Sequence, residues 1–225
     1  MSIAEKFEVI ADAVYDKGTE HMRLAMTNAV TDNNTRVHYN AAFQYENLSG
    51  FEFAYTIKPR GYIASIFYMC ASMAELPKPL DFSEIFTYNS NDTTTYRKSA
   101  FAYCSVLERI PDLNMKAIGG LEEWFIQCKK LHTIELLRVH ENTIYTNTFM
   151  QCDALENIAF DGVIGQNINL SWSPLLTIQS LNNIIDHLKE FPSGSSANIT
   201  LHANSKALLG DEGLGRIEAK GWSYA

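Results

Sequence analysis

The chain reads as an α/β (α+β) solenoid, and three observations predict it. One phrase is written four times, as IFYMCASMAEL, AFAYCSVLERI, WFIQCKKLHTI and TFMQCDALENI. In each copy a Phe (Phe67, Phe101, Phe125, Phe149) stands three residues before a Cys (Cys70, Cys104, Cys128, Cys152). An apolar residue follows three positions on (Met73, Leu107, Leu131, Leu155), and another three beyond it (Leu76, Ile110, Ile134, Ile158). The last three copies recur every 24 residues, at 101, 125 and 149. Self-similarity at a fixed period of about 20 to 50 residues marks units that cannot bury their apolar face alone and stack to do so. The agreement continues outside the phrase, since Met115, Val139 and Val163 are 24 apart, as are Ile144 and Ile168. The expected division is a helical N-terminal cap over 1–42, repeats over 43–170 and an α/β C-terminal cap over 171–225.

At the N-terminus, Ser2 and Glu5 have the spacing of a capping box, which satisfies free backbone donors at a helix start. Ile3, Phe7, Ile10 and Val14 then form one helical face. Two readings of that face stand side by side: a cap on the first coil, or a short coiled coil that makes the protein a homo-oligomer. A second helical piece is expected from Glu20 to Val30, before a turn at Thr31 to Asn34. Phe43 lies 24 residues before Phe67 and opens a degenerate first coil with Glu46 in the Cys position. Phe51, Phe53, Tyr55 and Ile57 alternate with Glu52, Ala54, Thr56 and Lys58, the period of a half-buried strand. The first interval is 34 residues, from 67 to 101. The surplus is assigned to the polar segment 88–97, expected to bulge from one coil as a loop.

Each regular coil is expected to hold a short helical turn carrying Phe and Cys, then L-x-x-I leading into a short strand, then a return segment. After Trp172 the period stops. Ile178, Leu181, Ile184, Ile185 and Leu188 mark one face of a helix, Asn198 to His202 alternates like a strand, and a last helix ends at Lys220 with Gly221 as its stop.

Composition narrows the function. A net charge of -8 opposes the phosphate-neutralising surface that nucleic acid requires, and it disfavours anionic membranes. Hydrophobic content of 46% with 20% charged residues suits a chain with a buried core. The first residues contain Glu5, Glu8 and Asp12 and no signal-peptide pattern, so the expected location is the cytoplasm, with a virion as a further destination. The four cysteines share one position of the repeat and lack the paired spacing of a zinc site, so they are expected as a row of buried, reduced thiols. The histidines (21, 38, 132, 140, 187, 202) show no ligand spacing, with His132 and His140 expected at the surface. The run from Gly210 to Gly215 matches no phosphate-binding fingerprint and reads as a turn. Glu122 with Glu123, and Asp211 with Glu212, read as solvated neighbours. No catalytic, cofactor or metal residue is assigned, and no cofactor is expected.

The A-F-x-x-C-x-x-L-x-x-I phrase in a 24-residue unit resembles the BspA-type leucine-rich repeats over roughly Phe43 to Leu170. The closing part, GVIGQNINLSWSPLLTIQSLNNIIDHLKE with the later AKGWSYA, looks like the C-terminal portion of such proteins from gut bacteria and their phages and prophages. The resemblance implies a right-handed leucine-rich-repeat coil and a non-catalytic protein-binding or adhesion module with a protein partner. It names no ligand-binding residue. The alternatives it leaves are a structural component of a virion or tail, a phage-delivered inhibitor of a host protein, and, more remotely, a carbohydrate-active enzyme. Outward positions between the core residues, such as Glu135, Arg138 and Ala159, are where a partner would be read.

Overall fold

The computed structural model describes residues 30–31, 37–38, 52–57, 65–76, 78–80, 98–115, 120–192 and 196–225. The helix expected over residues 1–18, the coil expected to open at Phe43 and the insertion expected over 88–97 lie outside the described residues. In chain order the elements are β1 (Val30–Thr31), β2 (Val37–His38), β3 (Glu52–Ile57), β4 (Lys78–Leu80), β5 (Arg109–Asn114), β6 (Thr133–Val139), β7 (Asn157–Gly162), β8 (Ile168–Leu170), α1 (Ile178–His187), β9 (Ala197–Leu201), α2 (Ala203–Ala219) and β10 (Trp222–Tyr224). Strands β1 and β2 pair antiparallel, so Val30 belongs to a strand and not to the helix expected up to it.

The expected α/β solenoid, a right-handed leucine-rich-repeat coil, is corrected by the sheet topology. The described strands form two separate three-stranded parallel sheets, ordered β5, β6, β7 and β10, β9, β8, beside the two-stranded pairs β1 with β2 and β3 with β4. They do not close into one coil. The reason lies at the free edge of β7, where helix α1 and not a further strand takes the hydrogen bonds. The Ser180 hydroxyl accepts from the Ile158 N–H at 3.0 Å and donates to the Glu156 carbonyl at 3.1 Å, and the Asn183 side-chain oxygen accepts from the Phe160 N–H at 2.7 Å. A strand edge satisfied by side chains offers nothing for the next strand to pair with. Strand β8 turns instead to β9, with Ile168 opposite Ile199 and Leu170 opposite Leu201.

Within the first sheet the period governs register. Arg109, Thr133 and Asn157 are aligned, as are Ile110, Ile134 and Ile158. Ile110 and Leu113 are both buried although three apart, and so are Ile134 and Leu137. A period of two cannot place both on one face, so β5 and β6 each carry an extra residue between them. Strand β7 lacks it: Ile158 and Phe160 are two apart, and the β6 to β7 register shifts between Ile134 and Leu137. This is a β-bulge, one extra residue opposing a shorter strand. Pro111 stands in β5, an edge strand among the described strands, a position where a residue without an N–H is tolerated.

The core follows the repeated phrase. The rings of Phe67, Phe101, Phe125 and Phe149 stack in order, with centroids 5.5, 5.7 and 6.0 Å apart and interplanar angles of 12°, 9° and 21°. The longer first interval therefore reaches the same stack as the regular ones. Trp124 is fully buried and packs in T-shaped arrangements with Phe101 and Phe125. Each fully buried Phe contributes about 1.5 to 3 kcal/mol from transfer alone. Met115 and Val139 are buried whereas Val163 is 42% exposed; Ile168 is buried whereas Ile144 is 42% exposed. Those two 24-residue alignments share a spacing without sharing an environment.

The segment expected as a helical turn is a turn of another kind. Ser65, Met69, Ser99, Tyr103, Glu123, Gln127, Asn147 and Gln151 all have φ between +54° and +64°. These are the residues two before and two after each Phe. In the first three copies their N–H groups donate to the next copy, as from Met69 to the Ala102 carbonyl, Tyr103 to Ile126 and Gln127 to Met150, each at 2.8 Å. A left-handed backbone costs a residue with a side chain roughly 1 to 3 kcal/mol and persists only where its surroundings hold it. Here the bonds between copies hold it.

Toward the C-terminus, Thr177 caps α1, whose Leu181, Ile184 and Ile185 enter the core. His202 caps α2, which kinks at Gly210 with φ +59° and ψ -171°. The residues from Asp211 to Gly215, read as a turn, continue the helix beyond that kink. Arg216 ties α2 to α1 through Asp186 and Asn182, both at 2.6 Å. Gly221 then has φ +80° and leads into β10, where the Trp222 indole N–H donates to the Lys189 carbonyl at 2.8 Å.

Candidate protein-binding face

The residues of the repeat core lie where they can contact no partner. Phe67, Cys70, Leu76, Phe101, Cys104, Leu107, Ile110, Phe125, Cys128, Leu131, Ile134, Phe149, Cys152, Leu155 and Ile158 are all buried. The four cysteines are free thiols. Three of them donate to the Phe carbonyl of the preceding copy: Cys104 to Phe67 at 2.9 Å, and Cys128 to Phe101 and Cys152 to Phe125, both at 3.1 Å. Burial pushes the Cys128 thiol well up, the neighbouring Cys152 adds to this, and a hydrogen bond with the Cys104 backbone partly opposes it. Cys152 is raised by burial in the same way, with Asp153 adding to it. A thiol kept protonated is a poor nucleophile and a poor metal ligand.

The solvent side of β5, β6 and β7 is different. Glu135 is exposed, and Arg138 and Ala159 are half-buried. Arg138 lies between two carboxylates from the flanking strands. Its Nε donates to Asp112 Oδ1 at 2.9 Å, its second terminal nitrogen donates to Asp112 Oδ2 at 2.6 Å, and its first reaches Asp161 Oδ2 at 2.9 Å. Donation to Asp112, and then to Asp161, pushes the guanidinium above its ordinary value against the opposing effect of desolvation. Nearby, Arg109 pairs with Glu135 across β5 and β6. Two-pronged guanidinium–carboxylate contacts fix orientation as well as charge. The result is a surface of alternating sign whose side chains are held in place by one another.

Glu135 and Arg138 were legible as outward positions, but Asp161 was not. Adding 24 to Arg138 points to Gly162, whereas the bulge shifts β7 so that Asp161 stands opposite Arg138. The missed signal lies just after the phrase: core positions are three apart in β5 and β6, at Ile110 to Leu113 and Ile134 to Leu137, and two apart in β7, at Ile158 to Phe160. Asp112 and Arg109 were overlooked because the repeat alignment drew attention to the apolar positions flanking them.

The remaining candidates occupy local structural roles. His132 is exposed and its Nδ1 lies 3.1 Å from the Thr133 hydroxyl. His140 Nδ1 accepts from the Asn142 N–H at 3.2 Å, and His187 Nδ1 meets the Asn183 carbonyl at 2.8 Å. His202 serves as the α2 cap, the side chain of His38 is not described, and His21 lies outside the described residues. Among the described residues no group of three or more His, Cys, Asp or Glu side chains is placed to hold a metal ion, and no helix is long and apolar enough to cross a membrane. Glu122, expected as solvated, is buried with Lys98 4.0 Å away, and Glu123 accepts from the Ser99 hydroxyl at 3.0 Å. Asp211 and Glu212 are exposed.

Comparison with protein-family models, with curated proteins and with solved structures finds no match.

Proposed function

We propose that this chain is a non-catalytic protein-binding or adhesion module that engages a protein partner through the solvent side of β5, β6 and β7. The observation that carries the reading is the Arg138 cluster: a cation held between Asp112 and Asp161, with Arg109 and Glu135 beside it. Alternating charge, its side chains cross-linked by ion pairs, suits recognition of a complementary protein surface, because misplaced partners meet like charge. The resemblance of the repeated phrase to BspA-type repeats supports the same class of role, and it also supports an origin in a gut bacterium, phage or prophage.

The test is retention of partners from a fractionated panel of host-cell and surface proteins on immobilised chain, wild type against Arg138→Glu. The expected result is one saturable partner whose affinity falls about tenfold or more in the variant and weakens with added salt. Failure to retain any specific partner, or equal retention by the variant, rejects this reading.

A further inference from the structure

We propose that a second site, a groove beside the β8, β9 and β10 sheet, binds an uncharged, hydroxyl-rich ligand of the oligosaccharide class. The groove encloses about 420 Å³ and is built by three passes of the chain: residues 144–147, residues 166–169, and Asn198 with Thr200. That volume lies in the range of small-ligand sites, roughly 300 to 1,000 Å³. Its lining is unusual for this protein. One residue in five of the chain is charged, yet none of the lining residues is a Lys, Arg, Asp, Glu or His. The lining includes Asn147, Gln166, Asn167, Asn169 and Asn198, joined by hydroxyls of Thr146 and Thr200. Tyr145 can ionise only with difficulty, because burial pushes its phenol up, and its buried hydroxyl has no hydrogen-bond partner among the described residues.

Three of the amides, Asn167, Asn169 and Asn198, are held in position before any ligand arrives. The Asn198 N–H donates to Asn167 Oδ1 at 2.8 Å, and the Thr200 hydroxyl donates to Asn198 Oδ1 at 3.0 Å. Asn169 Oδ1 accepts from both the N–H and the hydroxyl of Ser171, at 3.0 and 2.7 Å. Asn167 and Asn169 thus use their oxygens inside the protein and keep their NH2 groups as donors, while Gln166 is exposed and offers both ends of its amide. Sugar hydroxyls both donate and accept, so they match such a set without needing a counter-charge. Side chains ordered in advance lose little freedom on binding. Exposed Ile144 adds an apolar surface for the C–H face of a sugar ring.

Other ligand classes fit less well. A phosphate or carboxylate would lose water and find no opposite charge, and an apolar ligand would leave the amides unpaired. The lining contains no carboxylate, so the site holds its ligand without the acid and base pair that glycoside hydrolysis uses.

The experiment is a titration of the full chain with maltotetraose, cellotetraose and chitotetraose in turn, following the Asn and Gln side-chain NH2 resonances by NMR. The expected result is saturable shifts at Gln166, Asn167 and Asn169 with at least one sugar, at a Kd between about 0.1 and 10 mM. Both Gln166→Ala and Gln166→Glu should weaken that response by about threefold to tenfold with an unchanged melting temperature. Silence with all three sugars at about 10 mM, an equal response to acidic oligogalacturonate, the same shifts from an uncharged capped peptide alone, or undiminished binding by both variants would each overturn the proposal. Because Arg138 lies on the other sheet, this outcome and that of the partner screen are independent.

Discussion

At Cys128 the thiol donates to the Phe101 carbonyl at 3.1 Å, and the same oxygen accepts the Cys104 backbone N–H at 3.2 Å. The position therefore asks for a side chain that is small and largely apolar yet able to donate. Serine keeps the donor but brings a more strongly hydrated hydroxyl into the core, so Cys128→Ser is expected to destabilise by about 1 to 3 kcal/mol. Leu131→Ala, which removes buried volume beside it, should cost about 2 to 5 kcal/mol. Chemical denaturation of both variants checks the order, and an unchanged melting temperature for Cys128→Ser would contradict the environment described. Gly162 is constrained by a different force. Its φ is +106° and a Cβ there would collide with the Val139 carbonyl, so Gly162→Ala should lose about 1 to 3 kcal/mol or more. Of these residues the cysteine was readable from recurrence. The glycine was not, because nothing local reveals that the backbone of β6 passes against it.

Strand β7 and helix α1 show how an element can end a pattern. Ser180 and Asn183 supply acceptors to the Ile158 and Phe160 N–H groups. Asn183→Ala would leave the Phe160 N–H without that acceptor, at a cost of about 1 to 3 kcal/mol, while exposed Gln179→Ala should stay within about 0.5 kcal/mol. Comparable losses in the two variants would refute the edge-capping role. The helix itself was legible from the spacing of Leu181, Ile184 and Ile185, but its position on the strand edge was not, since Ser and Asn within a helix usually signal nothing. A second tie between elements is electrostatic. Lys189 donates to Glu141 at 2.9 Å, and that bond first, then the charge of Lys189, holds the Glu141 carboxyl below its ordinary value. A carboxyl depressed in the folded state stabilises the protein above its unfolded value and loses that contribution as pH falls through the folded one. In Lys189→Ala the Glu141 titration should move up toward an ordinary carboxylate, and the acid limb of the stability curve should flatten slightly. A carboxyl NMR titration that does not move would refute the pairing.

Across the molecule, protection should be graded by position in the sheets. Strand β6 lies between β5 and β7 with Ile134, Leu137 and Val139 buried, whereas β10 is an edge strand of three residues at the C-terminus. Native-state hydrogen exchange should show β6 amides protected at least about a hundredfold more than those of β10. Equal rates would mean that the two sheets open together. Recurrence of Phe, Cys and Leu or Ile was enough to foresee which residues are buried, because exclusion of apolar side chains from water acts on residue type and spacing, both of which are written along the chain. Pairing is set differently. Whether β8 joins β7 or β9, whether Asp161 or Gly162 faces Arg138, and whether Met69 or Tyr103 adopts a left-handed backbone depends on hydrogen bonds between segments far apart in sequence. Each such choice is a competition among partners that only the folded arrangement brings within about 3 Å of one another. For that reason burial could be read from the letters, while the sheet edges, the charged face and the amide groove came into view only with the coordinates.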